Sequence, residues 1–327
     1  MDIYIKKAIL HAFDPGHPEI TFSKDLMELT PVMLDYVTKK VEKIYSDEAK
    51  RGQLSEDNQF LKLLTDDFIA STIAVANFWR EAFVLSENQK QNDLLFVSYE
   101  IETQPHFAFI RLSLRDAFSH TFDGTNGQIK IAKTESSLPG AGSAADEGLA
   151  INCATFGYHL IEKRIKYNGK NYHYISENLL AEKPEISVNK AIKLIKKTAE
   201  SVAKSFDDDD FAFSQKVQNT VFHAVEKQEN ISPEALADQL FSDNLTARLA
   251  FKDQVKEGIP DSIKFDQMPM DKIEKKLANQ KLSLSNGIEM IVPQTLYEDA
   301  ETVEFIQNND GTYSIIIKNI EEIKNKW

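Results

Sequence analysis

The sequence predicts an α+β fold: an N-terminal, mainly antiparallel sheet with packed helices, then a helical segment ending in a small β region. Three features predict it. Apolar residues alternate with period two across residues 95–114, recur at three and four from about residue 187 to 256, and return to strand character after residue 287.

Residues 3–13 are apolar and β-branched enough for a strand, ended by Asp14-Pro15-Gly16. Thr30 and Pro31 open a helix, as N-cap and first helical residue, with Met33, Val37, Val41 and Ile44 following at helical spacing. A longer helix is expected over residues 57–86, where Phe60, Leu64, Phe68, Thr72, Val75, Trp79 and Phe83 form a continuous stripe. Leu95, Val97, Tyr99 and Ile101 then alternate against Phe96, Ser98 and Glu100. After Gln104-Pro105, Ala108, Ile110, Leu112 and Leu114 alternate again, as antiparallel neighbours do. A turn follows at 123–127, a short strand at 128–134, a flexible small-residue loop at 136–148 and a strand at 149–155. Asn168-Gly169 is the clearest hairpin turn, because Asn-Gly accepts the positive φ angles of a type I′ turn. Helices are expected at 189–206, 211–227, 233–241, 245–256 and 272–280. Residues 287–293 are again strand, and 303–318 fold back at Asp310-Gly311. The domain boundary is placed near Lys183-Pro184-Glu185, giving domains of 1–184 and 185–327.

A length of 327 residues suits about two domains. Hydrophobic residues at 42%, with 10% aromatic, supply a core and exclude wholesale disorder. The single cysteine, Cys153, excludes an intrachain disulfide framework and a multi-cysteine zinc site, and it suits a reducing compartment. Asp2, Lys6 and Lys7 interrupt the apolar N-terminus, unlike a signal peptide. No stretch approaches the roughly 18 apolar residues of a spanning helix. The expectation is a soluble cytoplasmic protein with no membrane partner.

With 38 Lys+Arg against 51 Asp+Glu the net charge is −13, which argues against indiscriminate polyanion binding. The charge is uneven. Residues 159–204 carry ten basic and five acidic residues, a block of +5 that leaves −18 elsewhere. In the helix from Asn189, an apolar stripe of Ile192, Ile195, Ala199, Val202 and Phe206 is expected to be buried. Lys190, Lys193, Lys197 and Lys204 recur on another face, with Lys196 nearby. The Asn168-Gly169 loop pairs Lys166 with Asn171 and Arg164 with His173, so that strand face is cationic while Ile165 and Tyr172 share the other. These cations, with Lys163, are the candidate DNA-binding residues; each face can follow a phosphate backbone or be an ordinary solvated face. Five phosphate contacts correspond to a roughly 500-fold loss of affinity between about 50 and 200 mM salt.

Catalytic signatures are missing from the sequence. There is no phosphate-binding G-x-x-x-x-G-K-[ST] loop, no G-x-G-x-x-G turn and no G-x-S-x-G elbow. The nearest Gly-rich stretch, 139–143, lacks the lysine of a phosphate loop. The seven histidines show no H-x-x-x-H spacing, and His11 and His17, flanking the first turn, are expected at the surface. Adjacent carboxylates at 207–210 cannot all converge on one ion and are expected to punctuate a helix start. The helix pair opening at Ser232-Pro233 and Leu245 has the outline of a helix-turn-helix. Its turn has no glycine, however, and residues 231–257 carry a net −2, so plain packing is expected. No catalytic residue, metal site or cofactor is expected.

The run from Asn286 to Pro293, then Tyr297-Glu298-Asp299 and residues 308–326, resembles the end of the bacterial 37-kDa nucleoid-associated protein family (NdpA/YejK-like). A strand containing Ala8-Ile9-Leu10-His11 and a helix pair joined by Leu54-Ser55-Glu56 extend the likeness to the N-terminus, and the mass of 37.1 kDa agrees. The resemblance implies a cytoplasmic bacterial protein found with the nucleoid, DNA as its ligand and no catalytic motif. The leading expectation is therefore nucleoid-associated DNA binding without base-specific readout, through Lys163, Arg164, Lys166, Lys190, Lys193, Lys196, Lys197 and Lys204. The alternatives are an acidic adaptor held at the nucleoid by a DNA-binding protein partner, such as a topology enzyme, and a metal-dependent nuclease.

Overall fold

Alternation in the first half of the chain builds one seven-stranded sheet. The computed structural model describes residues 1–324 except 88, 126, 144–146, 207–209, 228–229, 257, 266–272, 274 and 276. The chain divides into two units, Met1–Lys190 and Ala191–Trp327. In order, the first contains β1 (Ile3–Asp14), β2 (His17–Thr21), α1 (Pro31–Glu42), β3 (Lys50–Gln53), α2 (Phe68–Phe83), β4 (Asn92–Ile101), β5 (Gln104–Ser113), β6 (Arg115–Asp123), β7 (Gln128–Ser137), β8 (Glu147–Asn152), β9 (Gly157–Ile161), β10 (Ile165–Tyr167) and β11 (Lys170–Tyr172). The sheet order is β2-β1-β4-β5-β8-β9-β3, antiparallel throughout. The expected β4–β5 pairing is present, with Val97 opposite Ala108 and Leu95 opposite Ile110.

Both faces of this sheet are covered, which is why β4 and β5 are buried almost continuously. On one face Leu94, Phe96, Phe107, Phe109 and Leu149 pack with Val75, Trp79 and Phe83 of α2. Trp79 stacks on Phe83 at 4.5 Å between ring centroids and meets Phe13 edge-on at 5.3 Å. On the other face Leu95, Val97, Tyr99, Ala108 and Ile110 pack with Val37 and Val41 of α1 and with Ile44 and Tyr45 just beyond it. Gly148 permits that approach: a Cβ there would lie 2.8 Å from Ile44 Cγ1.

The N-cap of α1 is as expected, Thr30 Oγ1 accepting from Met33 N at 3.4 Å. The helix expected over 57–86 is shorter. Asp67 Oδ1 accepts from Ala70 N at 3.1 Å, starting α2 at Phe68 and leaving only a 3-10 turn at Leu61–Leu63 before it. Phe60 is nonetheless buried in the same cluster, so the apolar stripe was informative where the helix boundary was not. The strand expected at 128–134 runs on to Ser137, and that expected at 149–155 is β8, which starts two residues earlier and ends three residues earlier. The Asn168-Gly169 turn has the register expected, Lys166 opposite Asn171, with φ of 48° and 74° at its two central residues.

Helix α3 (Val188–Lys204) crosses into the second unit, where α4 (Asp210–Glu226), α5 (Pro233–Leu240), α6 (Leu245–Lys256), β12 (Asn279–Ser283), β13 (Glu289–Pro293), α7 (Gln294–Tyr297), β14 (Val303–Gln307) and β15 (Tyr313–Ile317) follow. The first four lie within two residues of the boundaries read from the sequence. Phe241, at the end of α5, joins Phe213 of α4 to Phe251 of α6 with centroids 5.0 and 5.6 Å apart. Of the helix expected at 272–280, residues 272, 274 and 276 lie outside the described residues, and Asn279 and Gln280 begin β12 instead, paired with Pro293 and Val292. The C-terminal hairpin turns at Asp310-Gly311, where Gly311 has φ 82° and Asp310 Oδ1 accepts from Thr312 N at 3.0 Å. No helix among the described residues is long and apolar enough to cross a membrane.

Candidate nucleic-acid interface

Helix α3 is two-faced. Ser187 Oγ accepts from Lys190 N at 3.3 Å and closes its first turn. Val188, Ala191, Ile195, Ala199, Val202 and Ala203 are buried, while Lys190, Lys193, Lys197 and Lys204 are exposed. The stripe differs from the expected one at two positions. Ile192 is only half-buried, and Phe206 is exposed beyond the last helical turn. At about 100° per residue the four exposed lysines fall in an arc of about 60°, opposite the buried stripe and over about 21 Å of helix axis.

Among the described residues no carboxylate pairs with any of those four. Lys196 differs: it is half-buried, with Nζ 4.0 Å from Glu200 Oε1. Glu200 sits at the edge of the lysine arc, and the same oxygen accepts from Ser214 Oγ at 2.7 Å. What α3 presents is thus a row of four hydrated ammonium groups on flexible stems, able to meet anionic oxygens without a demanding geometry.

The hairpin holds its cations differently. Ile165 is buried and Tyr172 half-buried, so the face read as apolar does turn inward. Arg164 and Lys166 are exposed on the other face. Arg164 Nε donates to His173 Nε2 at 3.2 Å, and burial holds His173 below the usual imidazole range, so the acceptor is a neutral ring. Lys166 lies 3.8 Å from Glu87, whose carboxylate also accepts from Gly169 N at 2.8 Å. Lys163 is exposed two residues beyond β9, its backbone N–H given to Glu147. Lys163, Arg164, Lys166 and Lys190 belong to the first unit; Lys193, Lys196, Lys197 and Lys204 belong to the second.

Other chemistry-bearing features serve the fold. The Gly-rich stretch 139–143 is not a loose loop: Lys40, fully buried, donates to Gly140 O at 2.8 Å, Ser143 O at 3.0 Å and Ser143 Oγ at 3.1 Å. His11 is buried rather than at the surface. Ser23 N donates to its Nδ1 at 3.2 Å, which leaves Nε2–H for Thr72 Oγ1 at 3.0 Å, and burial lowers its pKa to about 4. In the α5–α6 pair, Arg248 donates to Ser242 O at 2.7 Å, and Lys252 lies 3.0 Å from Asp238 and 3.4 Å from Glu234. Those cations are used up within the helix pair, as plain packing requires. The carboxylates at 207–209 lie outside the described residues; among the described ones no three His, Cys, Asp or Glu groups cluster as metal ligands do.

A family model described as nucleoid-associated protein YejK matches residues 9–324, nearly the whole chain. No curated protein matches the chain.

Proposed function

Since the chain belongs to the nucleoid-associated protein YejK family, we propose that it is a nucleoid protein of the bacterial cytoplasm that grips duplex DNA by its phosphates, without reading bases, through the lysine face of α3. The observation that carries this reading is the arc of Lys190, Lys193, Lys197 and Lys204, exposed and without an ion-pair partner among the described residues in a chain of net charge −13. So acidic a protein has carboxylates to spare, and it spends them on Lys166, Lys196 and Lys252 while leaving this row open. Lysine suits non-specific contact because its charge is a compact, mobile point rather than the bidentate fork that arginine offers to guanine. Arg164 and Lys163, in the first unit, are secondary candidates. Lys166 and Lys196 add little, since each already faces a carboxylate.

The test is a salt titration of nucleic-acid-free protein against a fluorescent duplex, compared with a variant carrying Lys→Gln at positions 190, 193, 197 and 204. Four phosphate contacts predict that affinity falls about 150-fold between about 50 and 200 mM salt, and that the variant loses nearly all of this dependence. Wild-type protein that fails to bind at low salt, or a variant with an unchanged slope, removes α3 from the model. A nucleoid protein then captured from nuclease-treated lysate would support the adaptor reading, in which the −18 carried by the rest of the chain attracts a basic partner.

A further inference from the structure

Helices α4 and α5, both in the second unit, line a groove of about 550 Å³, within the roughly 300–1,000 Å³ of small-molecule sites. Ile231 and Leu236, both buried, form its apolar wall, and Lys216, Lys227, Asn230 and Gln239 stand exposed along it. No acidic residue is among the described ones that line it, in a chain with 51 Asp+Glu. Glu234 and Asp238, the acidic residues of α5, face α6 instead, 3.4 and 3.0 Å from Lys252. Glu226, at the end of α4, lies 3.2 Å from His223, which Glu298 also meets at 3.2 Å. Lys216 gives one N–H to Leu240 O at 2.8 Å, and a carbonyl takes that donor without cancelling the charge. Among the described residues no carboxylate pairs with Lys216 or Lys227.

We infer that this groove binds a small, phosphorylated, hydroxyl-rich molecule of the sugar-phosphate class. Two ammonium groups without a carboxylate suit a phosphoryl group, which meets lysine as a point charge. The rest of the wall suits hydroxyls. Ser232 Oγ accepts from Ala235 N at 3.4 Å and has its own O–H to give. Asn219 Oδ1 accepts from Gln294 Nε2, which leaves its amide N–H groups as donors. Asn230 and Gln239 each add an amide that both donates and accepts. No Phe, Tyr or Trp is among the described lining residues, so a nucleobase has no ring to stack on. That separates the ligand from a nucleotide and from single-stranded nucleic acid. None of the α3 lysines lines the groove, so it stands or falls apart from DNA binding.

Calorimetric titration of the full, nucleic-acid-free chain with ribose 5-phosphate tests this, with ribose and AMP as comparators. Ribose 5-phosphate is expected to bind with Kd below about 1 mM, ribose at least about tenfold more weakly, and AMP no more tightly than ribose 5-phosphate. Lys227→Gln removes a charge-assisted hydrogen bond and is expected to weaken binding by about tenfold or more. Ala235→Phe keeps both lysines, fills the groove and is expected to weaken binding by at least about 100-fold. Both positions are exposed, so circular dichroism is expected to show the same fold in each variant. The four-lysine variant of α3 is expected to bind ribose 5-phosphate within about twofold of the wild type. No heat at about 5 mM ligand, equal affinity for ribose, tighter binding of AMP, or binding that survives both groove substitutions overturns the assignment. So does an α3 variant that loses ribose 5-phosphate, or a duplex that displaces it, since either makes the groove part of a DNA surface.

Discussion

The cations inside the first unit and those along α3 are the same residue types put to opposite use. Arg111, on β5, gives Nε–H to Glu147 Oε2 at 2.6 Å and a terminal N–H to Asn92 Oδ1 at 3.0 Å, beneath a sheet that excludes water. Tyr174 also donates to that carboxylate and accepts from Trp79 Nε1 at 2.8 Å, so the network ties β5, β8 and α2 together. Lys40 is likewise consumed by three oxygens. On α3 four lysines are exposed, with no carboxylate partner among the described residues. Counting basic residues therefore overstates what a surface can offer a polyanion, and what matters is how many charges the fold leaves unspent.

The contrast breaks most sharply if the buried cation proves dispensable. Arg111→Met strands Glu147, which burial already pushes above the usual carboxylate range against the opposing pull of Arg111 and Tyr174. A loss of about 3–5 kcal/mol in stability is expected, measured by urea unfolding. The four-lysine replacement on α3, by contrast, is expected to shift stability by less than about 1 kcal/mol while removing nearly all of the salt dependence of binding.

Buried bases sharpen the comparison through pH. Burial lowers the pKa of His11 to about 4 and, with the Arg51 guanidinium nearby, that of His159 to about 3. Both are neutral in the folded protein at pH 7, and the unfolded chain takes up a proton near pH 6.5 that the folded one refuses. The stability they contribute is complete above pH 6.5. It is lost as pH falls toward 4 and 3, at up to about 1.4 kcal/mol per pH unit for each ring. Urea midpoints at pH 7.5 and 5 check this, and equal midpoints would sink it. The smallest effect belongs to the edge of the lysine arc: Glu200→Gln frees Lys196 and is expected to tighten DNA binding by about two- to fourfold at low salt.

Local features were legible from the sequence because their causes are local. The Thr30-Pro31 start, the Asn168-Gly169 turn and the two-residue precision of α3 to α6 depend on backbone preferences and on hydrogen bonds three or four residues apart. The lysine arc was legible for the same reason, since helical periodicity alone sets it opposite the apolar stripe. A misreading arose where distant groups intervened. His11, expected at the surface, is buried and bonded to Thr72, 61 residues away. The position of Glu87, 3.8 Å from Lys166, was equally hidden in the sequence. The β6–β7 pair shows the same limit. Phe118, Phe122, Ile129 and Ile131 alternate like core residues yet are exposed, and nothing in that alternation says that β6 and β7 stand apart from the sheet.

By itself the sequence determined the helices α1 and α3 to α6, the β4–β5 alternation, the hairpin register and which faces of α3 are apolar and basic, because side-chain period and turn chemistry operate within a few residues. Only the tertiary structure decided the strand order that sets β1 beside β4, the burial of both sheet faces, which cations are spent and which apolar face is left uncovered. Those outcomes depend on which distant segments meet. A charge or an apolar face acquires its meaning from what lies within a few ångströms of it, and chain distance does not record that.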